Sequence, residues 1–277
     1  YLCIHGHFYQ PPRENPWLSK VEEQPSAAPY HDWNERVAAE CYGPNGAARL
    51  LEAEGRITKI INNYEHISFN IGPTLLSWME RALPDVYEAI LEADRRSRTR
   101  RAGFGNALAQ VYNHLIMPLA KAHDQETQVI WGIRDFAHRF GRQPDGMWLA
   151  ETAVSTSTLE ALAAQGIRFT ILAQHQARRV RPLGAERFVT LDPERIDPTR
   201  PYLCRLPSGR HIVLFFYDGP ISHSVAFGNV LSDGHKLLTR LQQGYSDHRS
   251  WPQLVSVATD GETFGHHNRF GEMALAW

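Results

Sequence analysis

Short apolar runs alternate along this chain with stretches in which apolar residues recur every three or four positions. The runs at residues 1–7, 67–71, 146–150, 169–173, 212–217 and 254–259, with a weaker one at 102–106, have the length and β-branched or aromatic content of buried strands. Between them, residues 47–53, 75–98, 124–140, 156–166 and 235–243 place apolar side chains at helical spacing and are rich in Ala, Leu, Glu and Arg. Pro84 is expected to split the second of these in two. Strands and helices in alternation predict a parallel sheet. Seven or so such units, with no glycine-rich dinucleotide turn after the first strand, favour an α/β fold of the (β/α) barrel kind over a doubly wound sheet.

In such a barrel the reactive groups stand where strands end, on the carboxy-terminal face. Polar side chains follow the strand candidates at equivalent places: His5, His7 and Gln10, then Asn70, then Asn106 to His114, then Glu151, His175, Asp218, and last Asp260 and Glu262. Together they predict one shared cleft. The long Pro-rich loop from Gln10 to Pro29, which leads into His31, Asp32, Trp33 and Asn34, either walls that cleft or is a surface loop pinned by its aromatics.

Composition narrows the ligand. With 29 Lys and Arg against 30 Asp and Glu, the net charge of -1 gives no electrostatic case for nucleic acid or an anionic membrane, and a neutral ligand fits better. Seven Trp and ten Tyr supply flat faces that suit sugar rings as well as cores. Three cysteines without CxxC spacing indicate neither a disulfide framework nor a zinc knuckle and point to a reducing cytoplasm. No apolar run reaches the roughly 18 to 20 residues that span a bilayer. The chain reads as one domain over residues 1–277, opening in a strand and ending within a helix-like run, as a piece of a longer protein does.

Two segments carry the chemistry. Met147 to Ala150 runs apolar into Glu151, beside Trp148, and the run at 254–259 runs into Asp260, followed by Gly261 and Glu262. Two carboxylates at strand ends are the minimum equipment for glycoside hydrolysis, and on the residues alone they compete with salt bridges and helix caps. The blocks HGHFYQPP (5–12), FNIGPTLL (69–76), YNHLIMPL (112–119), MWLAE (147–151) and TDGETFGHH (259–267) together resemble glycoside hydrolase family 57, in that family's order and across nearly the whole chain.

The resemblance implies a distorted (β/α)7 barrel, retention of anomeric configuration, no catalytic metal or other cofactor, and oligo- or polysaccharide substrates of the α-glucan type, as in amylases and 4-α-glucanotransferases. It assigns Glu151 as nucleophile and Asp260 as acid/base, and matches His7, Gln10, His114 and Asp218 to family positions around the sugar. His5, Trp33, Trp148, Phe264 and His266 are further candidates for that site on their places in the chain, with Glu262 as a structural or orienting group, and Tyr9, Trp33, Trp148 and Phe264 are candidate stacking surfaces. The stretch Gly105 to Leu108 departs from the pattern, since amylolytic members usually carry a Glu there. The whole looks most like a bacterial subgroup in which a further domain follows the barrel. Two other readings compete: a zinc hydrolase like the family 38 α-mannosidases or polysaccharide deacetylases, drawing ligands from the histidines and Asp260, and a carbohydrate-binding barrel without turnover. The charged run from Asp94 to Arg101 reads as a solvated helix end.

Overall fold

The computed structural model describes residues 1–52, 54–192 and 196–277. Its centre is a run of seven parallel strands, numbered here in chain order: β1 (Leu2–Phe8), β2 (Ser68–Ile71), β3 (Ala109–Gln110), β4 (Met147–Trp148), β5 (Phe169–Ala173), β6 (His211–Tyr217) and β7 (Val255–Asp260). β1 lies between β7 and β2, with His7 in register with both Asp260 and Asn70. A bridge from Phe69 to Ala107 joins β2 to the β3 segment, β3 pairs with β4, and a bridge from Gly146 to Phe169 joins β4 to β5. β5 pairs with β6 over five residue pairs. At the β6/β7 seam the Asp218 N–H donates to the Ser256 carbonyl at 2.7 Å. The order follows the chain from β1 to β6, with β7 on the other side of β1, as in a (β/α) barrel.

Helices cover the outside for local reasons. Pro73–Ala82 and Pro84–Arg100 each begin with proline, whose missing N–H and fixed φ suit a first turn, and Leu83 between them is non-helical. Ala122–Phe140 ends at Gly141 in the left-handed region (φ 64). Asp218 caps Gly219–Phe227 by accepting from the Ile221 N–H at 2.9 Å. Apolar side chains from strands and helices meet in a core that includes Phe8, Phe69, Met79, Met147 and Leu149. Inside the strand ring, Leu108, Trp148, Ile171 and Ala258 form a separate small layer. Among the described residues no helix is long and apolar enough to cross a membrane.

Two expected elements differ. Residues 48–51 form not a helix but an antiparallel hairpin, Ala48–Leu51 with Ile57–Ile61, because the β-branched Ile57, Thr58, Ile60 and Ile61 supply a strand partner; Ala53 lies outside the described residues. The third strand lies at Ala109–Gln110, beyond 102–106, where Ala102 (φ 51) and Gly103 (φ 93) form a left-handed turn that no strand tolerates. The Asp94 to Arg101 run is a helix end: Arg96 and Arg100 reach Glu65 at 2.9 and 2.7 Å, and Asp94 is buried against Arg142 at 2.8 Å.

Candidate active site

A cleft of ≈ 330 Å³ opens at the carboxy-terminal ends of the strands, and Glu151, Asp260, Glu262, His7, His114, Gln10, Trp33 and His266 all line it. Tyr9, Arg13, Val37 and His267 complete the wall.

Glu151 follows β4 in a tight turn held by Thr152 N–H to Leu149 and Ala153 N–H to Ala150 bonds of 3.0 and 2.9 Å. The turn puts both Glu151 (φ 54) and Thr152 (φ 51) in the left-handed region. Two successive non-glycine residues there cost roughly 1–2 kcal/mol each. Gln176 holds the turn by donating to the Thr152 carbonyl at 2.8 Å. The strain turns the Glu151 carboxylate into the cleft. Asp260 is reached without strain, at the extended end of β7 (φ -56, ψ 134). Gly261 comes next because a Cβ there would run into the Phe8 ring.

Burial raises the Asp260 carboxyl above the ordinary Asp value; nearby His267 and His114 pull it back, and the negative charge of Glu151 adds to the rise. The two carboxylates therefore sense each other across one cleft. Glu262 is sealed below them, accepting from the Tyr42 hydroxyl at 2.5 Å and the Tyr9 N–H at 3.2 Å, and burial pushes it up to about 7.

The β1–β3 side is a chain of hydrogen bonds whose proton positions follow from its members. Gln110 donates to the Val111 carbonyl at 3.4 Å, so its oxygen faces Asn70, whose amide donates to it at 2.7 Å. The same amide donates to His7 Nδ1 at 2.8 Å, and the Asn70 oxygen accepts from His5 Nε2 at 3.0 Å. Neutral His7 must then carry its proton on Nε2 and donate to His114 Nε2, 2.9 Å away. His114 in turn carries its proton on Nδ1. Burial keeps His5 neutral, holding it at about 4, and burial together with His114 and His5 holds His7 at about 3. His114, in the left-handed region itself (φ 55), stacks on Tyr9 with ring centroids 3.8 Å apart.

Several expected contacts lie elsewhere. His5 is fully buried beneath the cleft, with Nδ1 2.9 Å from the Ser68 hydroxyl, and stacks on Trp148, 4.8 Å away. Trp148 is likewise a floor under His5 and His7, since barrel strands turn alternate side chains inward and this one points into the ring. Phe264 is fully buried among Val255, Val257 and Leu231, because its strand has ended and the chain turns back into the core; it offers no face to a sugar. Asp218 caps the helix Gly219–Phe227 through Oδ1 and does not line the cleft. Where the sequence pattern departs, at Gly105 to Leu108, Asn106 donates to the Tyr64 carbonyl at 3.1 Å and Leu108 joins the apolar layer, so no carboxylate stands there.

The structure adds Arg13, which holds Gln10 by a 2.6 Å bond to its amide oxygen, Tyr42, Gln110 and His267. His267 was detectable beside His266 in the last motif. Tyr42 was not: it reaches Glu262 from a π-helical turn (Ala38–Tyr42) far away in sequence. His266 is fixed by Glu40, and Trp33 donates from Nε1 to Ser26 at 3.0 Å. Both ring nitrogens of His5 and of His7 are engaged in hydrogen bonds within this network. Among the described residues the one close trio of metal-ligating types is His31, Asp32 and Glu35, outside the cleft lining.

Residues 7–277 match the family described as glycosyl hydrolase family 57. No curated protein matches the chain. Among solved structures, a 4-α-glucanotransferase from Thermococcus litoralis is 18% identical with a TM-score of 0.64, over 99% of this chain and 37% of its own. An exo-type maltose-forming amylase from Pyrococcus sp. ST04 is 16% identical with a TM-score of 0.67, over 99% and 45%. A branching enzyme of the same family from Pyrococcus horikoshii is 16% identical with a TM-score of 0.63, over 100% and 66%. The chain thus spans between 37% and 66% of these proteins, and at such identities the likeness is one of fold.

Proposed function

We propose, from the premise that this chain belongs to glycosyl hydrolase family 57, that it is the catalytic barrel of an enzyme that cleaves or transfers α-linked glucan with retention of configuration. The observation that carries the reading is the pairing of Glu151 and Asp260 on one cleft, close enough for the charge of one to raise the pKa of the other. Glucan is carried over from the names of the related structures, a glucanotransferase, a maltose-forming amylase and a branching enzyme. A cytoplasmic setting and a further carboxy-terminal domain, as in the bacterial subgroup, belong to the same proposal.

In the first step the Glu151 carboxylate forms a bond to the anomeric carbon while the glycosidic C–O bond breaks and Asp260 gives its proton to the departing oxygen. The raised pKa keeps that proton available, and Asp260 loses it as pH rises through the raised value. In the second step Asp260 takes a proton from water or a sugar hydroxyl as its oxygen attacks the anomeric carbon and Glu151 leaves. His114, with Nδ1–H left as donor, and Gln10, held by Arg13, are the groups that orient ring hydroxyls. Tyr9 and Trp33 offer the ring faces.

The test is turnover of α-maltosyl fluoride in the full-length protein with added azide. Glu151→Gly is expected to lose at least 1,000-fold (about 4 kcal/mol of activation barrier) and to regain turnover with azide as the β-azide, because azide enters on the face Glu151 vacates. Asp260→Ala is expected to give the α-azide. Reversed products would exchange the two roles, and activity lost to EDTA and restored by zinc would overturn the metal-free mechanism.

A further inference from the structure

A second cavity of ≈ 480 Å³ adjoins the first, between the ends of β5, β6 and β7 and the helix Gly219–Phe227. Both volumes fall in the range of about 300–1,000 Å³ typical of small-molecule sites. Asp260 is the one residue that lines both cavities, and Glu151 lines only the first. An acid that protonates a glycosidic oxygen stands between the ring that stays and the ring that leaves. The ring attacked by Glu151 belongs in the first cavity, so the space on the other side of Asp260 lies beyond the scissile oxygen.

The lining suits a neutral, hydroxyl-rich ring. Ser222 and Gln174 are occupied: the Ser222 hydroxyl accepts from the Ala258 N–H at 3.1 Å, and Gln174 accepts from Gly219 at 2.9 Å and donates to Ile196 at 3.0 Å. The Tyr217 hydroxyl and the imidazoles of His175 and His223 have no hydrogen-bond partner among the described residues. Phe227 is 80% exposed, and its ring lies 5.1 Å from that of His223, one helical turn earlier. No Lys or Arg among the described residues lines the cavity. Exposed aromatic faces beside unpaired donors and acceptors match a sugar, which presents C–H groups on its faces and hydroxyls at its edge.

We propose that this second cavity is the leaving-group and acceptor side of the site, and that His223 and Phe227 determine how well it holds a glucosyl acceptor. The inference rests on the α-glucan reading above. In transfer, the acceptor hydroxyl held there gives its proton to the Asp260 carboxylate as its oxygen bonds to the anomeric carbon and the bond to Glu151 breaks, so that protons and electron pairs balance.

The experiment uses the full-length protein with α-maltosyl fluoride as donor, whose fluoride leaves the second cavity open, and maltose at increasing concentration as acceptor. Chromatography separates transfer products from hydrolysis products. His223→Ala and Phe227→Ala, both at exposed positions where truncation spares the core, are expected to raise the half-saturating maltose concentration about tenfold and to lower the transfer-to-hydrolysis ratio alike. Leu183→Ala, at an exposed site outside both cavities, is expected to change neither. Wild-type acceptor dependence in both cavity variants would overturn the inference, as would an equal loss of hydrolysis and transfer, which marks damage to the fold. Failure of the wild-type protein to use the fluoride would overturn the α-glucan reading and this inference with it, whereas normal Glu151-dependent turnover with an unaltered acceptor response would overturn this inference alone.

Discussion

The two sides of the cleft use their polar groups in opposite ways. On the β1–β3 side, His5, His7, Asn70, Gln110 and His114 bond to one another until nearly every donor and acceptor is taken. On the β5–β7 side, Tyr217, His175 and His223 have no such partners among the described residues. A saturated network in a dry interior fixes one set of proton positions and one geometry. Unpaired groups at an open wall adapt to what arrives. Under the proposed function, the saturated side would hold the attacked sugar in one geometry while the open side adapts to the incoming group.

The largest expected effect comes from breaking the saturated side at its centre. Asn70→Asp keeps shape but replaces the amide that donates to His7 Nδ1 with an acceptor, so His7 must either turn its proton to Nδ1, which reverses or breaks its bond to His114, or become a cation. Turnover of the fluoride donor is expected to fall about 100-fold, equivalent to about 3 kcal/mol. Steady-state kinetics read this directly, and wild-type turnover in the variant would show that the tautomer chain is irrelevant.

Next comes the acid limb of stability. His5 is held at about 4 and His7 at about 3, below the ordinary imidazole value of 6.5, so the folded chain declines protons that the unfolded chain binds. Stability is full above pH 6.5 and is lost as the pH falls toward those values, by on the order of 3 kcal/mol from His5 alone at pH 4. Urea denaturation across this range should show the fall, and His5→Gln should flatten it. An identical slope in the variant would mean that other groups carry the acid sensitivity.

The smallest expected effect is on the open side. Tyr217→Phe removes a hydroxyl that has no partner among the described residues, and its effect on the melting transition is expected to stay within about 0.5 kcal/mol. A loss several times larger would erase the contrast between the two walls.

Much of this was legible in the chain. Apolar runs marked six of the seven barrel strands, and the carboxylates that follow two of them, Glu151 and Asp260, do meet on one cleft. The third strand was misplaced because its two paired residues include the polar Gln110 and follow Asn106 closely, whereas the equally short Met147–Trp148 lies in a longer apolar run. Phe264 and Trp148 looked like sugar platforms because a motif names residues without saying which way they face. Phe264 instead closes the core, and Trp148 underlies the imidazoles.

What the sequence determined by itself is the alternation of strand and helix, the charge balance that suits a neutral ligand, and the order of motifs that brings two carboxylates to strand ends, because each depends on local periodicity and residue type. Folding in three dimensions settles which polar groups are used up and which stay open. Asn70 lies 63 residues from His7, Tyr42 lies 220 from Glu262, and Asp260 meets two cavities only once β7 has joined β1. Hydrogen-bond partnership and burial are properties of neighbours in space, and the fold alone selects those neighbours.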